Sequence, residues 1–494
     1  MKYLTVALAA LALLTLSGCM VGPKYATPPV PISPIFKEPG PSTFKEMDGW
    51  KTAQPNDQAL RGKWWELFGD AQLNALEDQI DVNNQTLKQA EANFREARAA
   101  IRVSRSSQVP TITTGPSVGT ERVSANQPYF NSALANSGSV NLSLPFDLNY
   151  EVDLWGRVRR TVTASVEQAQ ASAADMETAR LSLHAELAFD YFDMRSADTQ
   201  EKLLDATTRA YQEVLQLTQD RYEGGAAPMS DVTQARAQWQ GAQVAMTDIR
   251  VQRAQYEHAI AVLTGKPPAA LTLASVSFAE HPPKLPGIPG ALPSQLLERR
   301  PDIAAAERRM AAANEQIGIA QAAFYPTLSF SAVAGFVGTS PLSWLTWPSR
   351  MWAVGPTLSQ TLFDHGLRRA NSDIARDAYD STVAAYRQSA LTAFQQVEDN
   401  LAALRELETE AQQQHGETLS AQQSLELFTT RYEGGVDTYL QVITWQTAAL
   451  QNERNYIDIL RRRLESEILL IKALGGGWDT SKLPQVETLR KPVS

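Results

Sequence analysis

Between Arg157 and Glu223 the chain has no glycine and no proline. Within that stretch Val158, Val162, Val166, Ala169, Ala173, Met176, Ala179, Leu183 and Leu187 recur at steps of three and four. This spacing keeps an apolar stripe on one face of an α-helix. At 1.5 Å per residue, a helix predicted over 157–221 reaches roughly 100 Å. That exceeds both an ordinary globular helix and the thickness of a bilayer. Leu367 to Glu433 is equally long and carries only Gly416 as an interruption. The chain is therefore mainly α, built around two helices of exceptional length.

The two stretches belong to a duplication. RYEGG occurs at 221–225 and again at 431–435, 210 positions later. The same offset relates Gly156 to Gly366 and Gly265 to Gly475, while SQVPTIT at 107–113 faces AFYPTLS at 323–329 with six extra residues. Units of about 200 residues are too long for a solenoid array, so the chain holds two copies of one large motif. The reading is a first repeat over 63–265, a proline-rich connector over 266–298 and a second repeat over 299–475, with a tail over 476–494. Helices are predicted at about 84–107, 231–264, 302–322 and 438–474, with Pro228 and Asp437 suited to helix starts. Paired glycines end helices, so each RYEGG reads as the turn of a helical hairpin. Arg221, Tyr222, Gly224 and Gly225 form one tip; Arg431, Tyr432, Gly434 and Gly435 form the other.

The opposite ends of the long helices meet strands. Val140, Leu142, Leu144, Phe146, Leu148, Tyr150, Val152 and Leu154 alternate with mostly polar residues. Leu328, Phe330, Ala332, Ala334 and Phe336 repeat this more weakly, as do Trp352, Val354, Pro356, Leu358 and Leu362. A strand crossing a membrane needs about 9–11 residues, apolar outward and polar inward. Trp344, Trp347 and Trp352 suit an interfacial aromatic girdle. Each copy offers one strand hairpin, at about 109–154 and about 325–363. Four strands cannot close a barrel, because an open edge in lipid leaves backbone groups unpaired. Other chains must complete it, with the helices hanging from it as a tube.

The N-terminus reads as a secretory signal over 1–18, with Lys2 ahead of an apolar run. It ends in Leu16-Ser17-Gly18-Cys19, and Cys19 is the only cysteine. This resembles the bacterial lipobox, which makes Cys19 the lipid attachment point in outer-membrane lipid, since Met20 is not the aspartate associated with inner-membrane retention. Residues 19–62 then read as a proline-rich, extended tether.

Chemistry is not in evidence. Lys and Arg total 45 against 54 Asp and Glu, a balance that argues against nucleic acid as partner. The five histidines lie far apart without metal-ligand spacing, so no metal and no cofactor is expected. GPSVG at 115–119 lacks the strand-turn-helix setting of a nucleophile elbow. STFK at 42–45 lacks companion motifs, and GGG at 475–477 follows a helix rather than a strand. No catalytic constellation is found, and the chain is not read as an enzyme.

KWWELFGDAQLNALEDQIDVNNQTLKQA at 63–90 and RRPDIAAAERRMAAANEQIGIAQAAFYPTLSF at 299–330 resemble the outer-membrane efflux protein (TolC) family, in its OprM/NodT-like lipoprotein branch. DLWGR at 153–157, LFDHG at 362–366 and KALGGGW at 472–478 extend the resemblance over nearly the whole mature chain. The resemblance implies a homotrimer with a shared twelve-stranded outer-membrane barrel continuous with a periplasmic α-helical barrel. It implies a periplasmic adaptor docking on the hairpin tips and an inner-membrane efflux pump of the RND type. The chain would be a passive exit duct for drugs or other toxic compounds; a conduit for type I protein secretion is the alternative. In OprM-like members a leucine, an aspartate and an arginine line the periplasmic constriction. The matching positions here are Leu440, Thr444 and Thr447, so the resemblance does not carry over an acidic ring at that level, and Asp231 on the other tip is the candidate for charge.

Overall fold

A computed structural model of the chain describes residues 20–31, 33, 36–38, 62–122, 124, 126, 138–286 and 296–490. The signal segment, Cys19 and most of the tether lie outside them.

Helices α1 (Ala71–Asn83) and α2 (Gln85–Ser106) lead into strands β1 (Thr111–Thr114) and β2 (Ser117–Glu121). Strand β3 (Ser139–Val152) then descends into α3 (Arg157–Glu223), and α4 (Met229–Leu263) returns along it. The second repeat follows the same plan with α5 (Pro301–Ala322), β4 (Thr327–Gly338), β5 (Arg350–Ser359), α6 (Leu367–Glu433) and α7 (Tyr439–Ala473), before a short α8 (Val486–Arg490). Both α3 and α6 span 67 residues. Gly416 does not interrupt α6, because one glycine costs only about 1 kcal/mol in a helix held by packing. The sequence reading missed α1, whose N-cap is Asp70; that carboxylate accepts from the amides of Gln72 and Leu73.

The sheet is antiparallel, in the order β1-β3-β4-β5, with β2 also on β3. β1 and β2 are one strand broken at Gly115–Pro116, opposite Leu144–Pro145. Prolines on both strands remove ladder donors at that point. Ser117 lies in β2 opposite Ser143, far from any nucleophile elbow. Direct register partners share a face: Ile112, Leu148, Ala332 and Val354 form one row, and Phe146, Ala334 and Trp352 another. The face between carries Asn149, Ser331 and Gly355, and Asp147 and Val333. Ile112, Trp352, Val354 and Leu358 are exposed on the apolar face of the single chain. No helix among the described residues is long and apolar enough to cross a membrane.

Below the sheet, α2, α3, α5 and α6 pack side by side; further down the order becomes α4, α3, α7, α6. Midway, Trp64, Trp65, Phe68, Leu73 and Ile80 pack against Leu187, Tyr191 and Phe192 of α3. Arg195, almost fully buried, binds Asp70 at 2.7 Å and the carbonyl of His281, tying the start of α1 and the connector to α3.

The described residues of the tether form no helix or strand, and they are docked rather than free. The Val21 amide donates to the Trp155 carbonyl at 3.1 Å, and Arg160 donates to the carbonyls of Val21 at 2.7 Å and Pro23 at 3.2 Å. Arg160 also holds Glu315 at 2.7 Å in a buried pair. Further along, the Glu38 carboxylate binds Arg405 at 2.6 Å. These described residues lie against the helices as a strap.

Candidate functional site at the hairpin tips

Each RYEGG closes its helix in the same way. The Ala226 amide donates to the Arg221 carbonyl at 2.7 Å and the Gly225 amide to Tyr222 at 3.0 Å. Val436 to Arg431 at 2.9 Å and Gly435 to Tyr432 at 2.9 Å repeat the pattern. These are Schellman closures, which need a left-handed residue. Gly225 and Gly435 supply it at φ 73° and 71°, whereas Gly224 and Gly434 stay right-handed.

The side chains diverge. Arg221 reaches across to the second tip and donates to the carbonyls of Tyr432 at 2.8 Å and Glu433 at 3.4 Å. Its guanidinium also lies 4.5 Å from the Tyr432 ring centre. One arginine thus ties neighbouring helices and caps the C-terminus of α6, where carbonyls lack helical partners and the dipole favours a cation. Arg431 instead pairs with Asp437 inside its own turn. Asp437 is therefore not the helix cap: Thr438 precedes α7, and no side chain caps it. Pro228 occupies the position before α4 rather than its first turn. Tyr222 is exposed; Tyr432 is buried.

Behind the tips, Leu215, Val232, Ala235, Tyr432, Tyr439 and Val442 form a separate small core, flanked by Trp239. The rings of Tyr432 and Tyr439 lie 5.3 Å apart. Burial pushes the Tyr439 hydroxyl far above its ordinary range, with Tyr432, Tyr211 and Asp231 adding to the effect. Tyr211 is pushed up to about 12, by burial and then Glu453. Sequence reasoning missed this core; the signal was present in Tyr439 and Val442, at helical spacing directly after the second turn.

Leu440, Thr444 and Thr447 share one exposed face of α7. The Thr444 hydroxyl donates to the Leu440 carbonyl at 2.9 Å, so that face offers an apolar side chain and no charge. Asp231 lies in the first turn of α4, half-buried, near Tyr439. Cys19 lies outside the described residues.

A sheet with one apolar and one polar face, standing on paired helices of 67 residues that end in linked turns, defines a subunit of a membrane-spanning channel. The chain belongs to the outer membrane efflux protein family, whose model matches residues 76–266 and 292–476, one match in each repeat. It is 33% identical to outer membrane protein OprJ of Pseudomonas aeruginosa, over 96% of each chain. It is 32% identical to the toluene efflux pump outer membrane protein TtgF of Pseudomonas putida, over 97% of each. The solved structure of the outer-membrane channel OprN superposes with a TM-score of 0.81 at 28% identity, covering 93% of this chain and all of the other. The protein is an outer-membrane channel component of an efflux pump, and its family is one of channels rather than enzymes.

Proposed function

We propose that three copies of this chain pool their strands into a twelve-stranded barrel and their helices into a periplasmic tunnel, anchored by lipid on Cys19. The observation that carries this is the two-faced sheet with open margins at β1/β2 and β5. In lipid those margins need partners, and a further copy supplies a β5 edge antiparallel to β1. The division into two repeats, 63–265 and 299–475, gives each copy two hairpin tips. Those tips are the docking end for a periplasmic adaptor, which links the duct to an inner-membrane pump of the RND type. The cargo is small apolar molecules, drugs or solvents, in keeping with the toluene pump to which TtgF belongs. Leu440 forms the apolar constriction, with Thr444 and Thr447 behind it and Asp231 of the other tip as the candidate for charge.

The test is efflux of a fluorescent hydrophobic dye from the native host with the gene deleted and restored. Deletion slows efflux; wild type restores it, and a version altered at Arg221, Tyr222, Arg431 and Tyr432 does not. Unchanged efflux on deletion overturns the small-molecule reading and favours protein secretion through the same duct.

A further inference from the structure

We infer that the groove between α2 and α3, at the foot of the sheet, binds the phosphate of an anionic phospholipid in the leaflet that faces the periplasm. This rests on the anchored-barrel reading above and names a lipid contact beyond the anchor itself. A cavity of about 360 Å³ opens there, lined by Met20, Arg105, Gln108, Arg159, Val162 and Thr163. Two arginines from different helices line it, and no carboxylate among the described residues does. A guanidinium presents parallel donors that match phosphate oxygens, so this lining selects for a phosphate group. The groove lies between two helices packed on each other within one chain, so every copy carries it.

The two arginines are held differently. Arg105 ends α2, where the helix dipole favours a cation. Arg159 lies in the first turn of α3, where the dipole disfavours one. Asp153 offsets that cost. Its carboxylate accepts from the amides of Val158 at 3.1 Å and Arg159 at 2.9 Å, and from Arg159 Nε at 3.1 Å. The brace fixes the Arg159 guanidinium at the rim of the groove.

The cavity stands at the membrane boundary. The Trp155 ring stacks on Tyr325 at 4.7 Å where the sheet meets the helices, and such aromatic pairs suit the headgroup level. Met20 is seated on Gly156, where a Cβ would lie 2.8 Å from Met20 Cγ. A chain held by lipid on Cys19 runs along the outside of the tube, so a cavity beside Met20 faces the bilayer and not the duct. Val109 and Ile112 follow Gln108 and are exposed, and Ile112 belongs to the apolar row with Leu148 and Val354. Phosphate held at the arginines leaves the acyl chains against this apolar wall.

The second repeat lacks the arrangement. The duplication sets Gln321 and Phe324 where Arg105 and Gln108 stand, and Arg369 where Arg159 stands. One arginine of the pair is gone, and the Arg368 guanidinium lies 5.5 Å from the Phe324 ring centre instead. The chain therefore carries its own control for the site.

The experiment uses the full chain purified from membranes in detergent. It is incubated with phosphatidylglycerol, or with diacylglycerol of the same acyl chains, and read by native mass spectrometry. Wild type is expected to retain phosphatidylglycerol and to lose diacylglycerol. Arg105→Gln, at a helix end, lowers the retained fraction several-fold, and adding Arg159→Gln lowers it further. Arg369→Gln removes an equal charge in the second repeat and leaves retention unchanged. Retention by Arg105→Gln equal to wild type overturns the site. Equal retention of diacylglycerol overturns phosphate recognition and leaves an apolar contact only. Loss of the lipid on adding inorganic phosphate assigns the groove to a soluble anion and overturns the lipid. The mass of the denatured chain reads the covalent lipid on Cys19 separately. Its absence overturns the anchor, while the comparison of Arg105→Gln with Arg369→Gln still decides the groove.

Discussion

Arg221 and Arg431 occupy equivalent places in duplicated sequence but do different work. Arg221 bonds two carbonyls of the other tip; Arg431 holds only Asp437 beside it. Bonds from a charged donor are each worth roughly 1.5–3 kcal/mol. Arg221→Ala should therefore loosen the paired tips by about 2 kcal/mol, whereas Arg431→Ala should leave them joined. Single-channel recording checks this: Arg221→Ala is expected to open more often, and equal opening in the two variants would contradict it. A second residue-scale effect lies midway along the molecule. His184 meets Glu77 at 2.7 Å and Asp81 at 3.6 Å, with Trp65 stacked on its ring and Arg180 bound to Asp81. Burial pushes Glu77 up to about 7, against the bond from His184 and with Asp78 adding to the rise. Burial lowers His184, but its bonds to Asp81 and Glu77 outweigh this and raise it overall. Both folded values exceed the unfolded ones, so the native state binds more protons and stability falls as pH rises from about 4.5 through 7. Asp81 is shifted down and acts only below that window. Melting temperature should drop by a few degrees from pH 5.5 to 8, and Glu77→Gln should flatten the slope.

Among the elements, turn chemistry gives a sharp contrast. Gly225 and Gly435 have open space around them but left-handed backbone, so alanine there costs about 1–2 kcal/mol per site. Gly224→Ala, on right-handed backbone, should cost nothing measurable in urea unfolding. These turns were legible because the cause is local: a glycine pair after an uninterrupted apolar stripe. The strand faces were legible for the same reason, since period two marks one face. The strap was not. Tyr25 bonds Glu307, and Arg160 reaches Val21 across 139 positions. At that docking point a Cβ on Gly318 would lie 2.3 Å from Arg160 Nε, and one on Gly22 would lie 2.5 Å from Gly318 Cα. No period or composition signals such a pairing, and a run of prolines reads equally well as a loose tether. The tip core escaped likewise, because it joins four helices. Gly318→Ala should displace Arg160 and free the strap, seen as faster proteolysis near residues 21–31 with the helices intact.

At the scale of the whole molecule, the described contacts near the tips tie the two hairpins of one chain together, and nothing among the described residues there supplies chemistry. The repeated motif places two hairpins per chain at the end remote from the sheet, linked by Arg221 and backed by a shared apolar core. A tube that closes at this end needs a plug that excludes water and ions without binding them. Leu440 suits that role: it is 59% exposed in the single chain, on a face whose Thr444 hydroxyl is turned to its own backbone. A ring of leucines gates by dewetting, whereas a ring of carboxylates would attract cations. Two outcomes follow for trimers in planar bilayers. Leu440→Ala should raise resting conductance several-fold with little change in cation preference, because an apolar obstruction is removed and no charge is lost. Asp231→Asn should lower cation preference while leaving resting conductance nearly unchanged, since Asp231 is an acidic group beside Tyr439 of the tip core. If Leu440→Ala conducts no better than wild type, the constriction lies elsewhere on the tip helices, and the Arg221 link alone holds the duct shut.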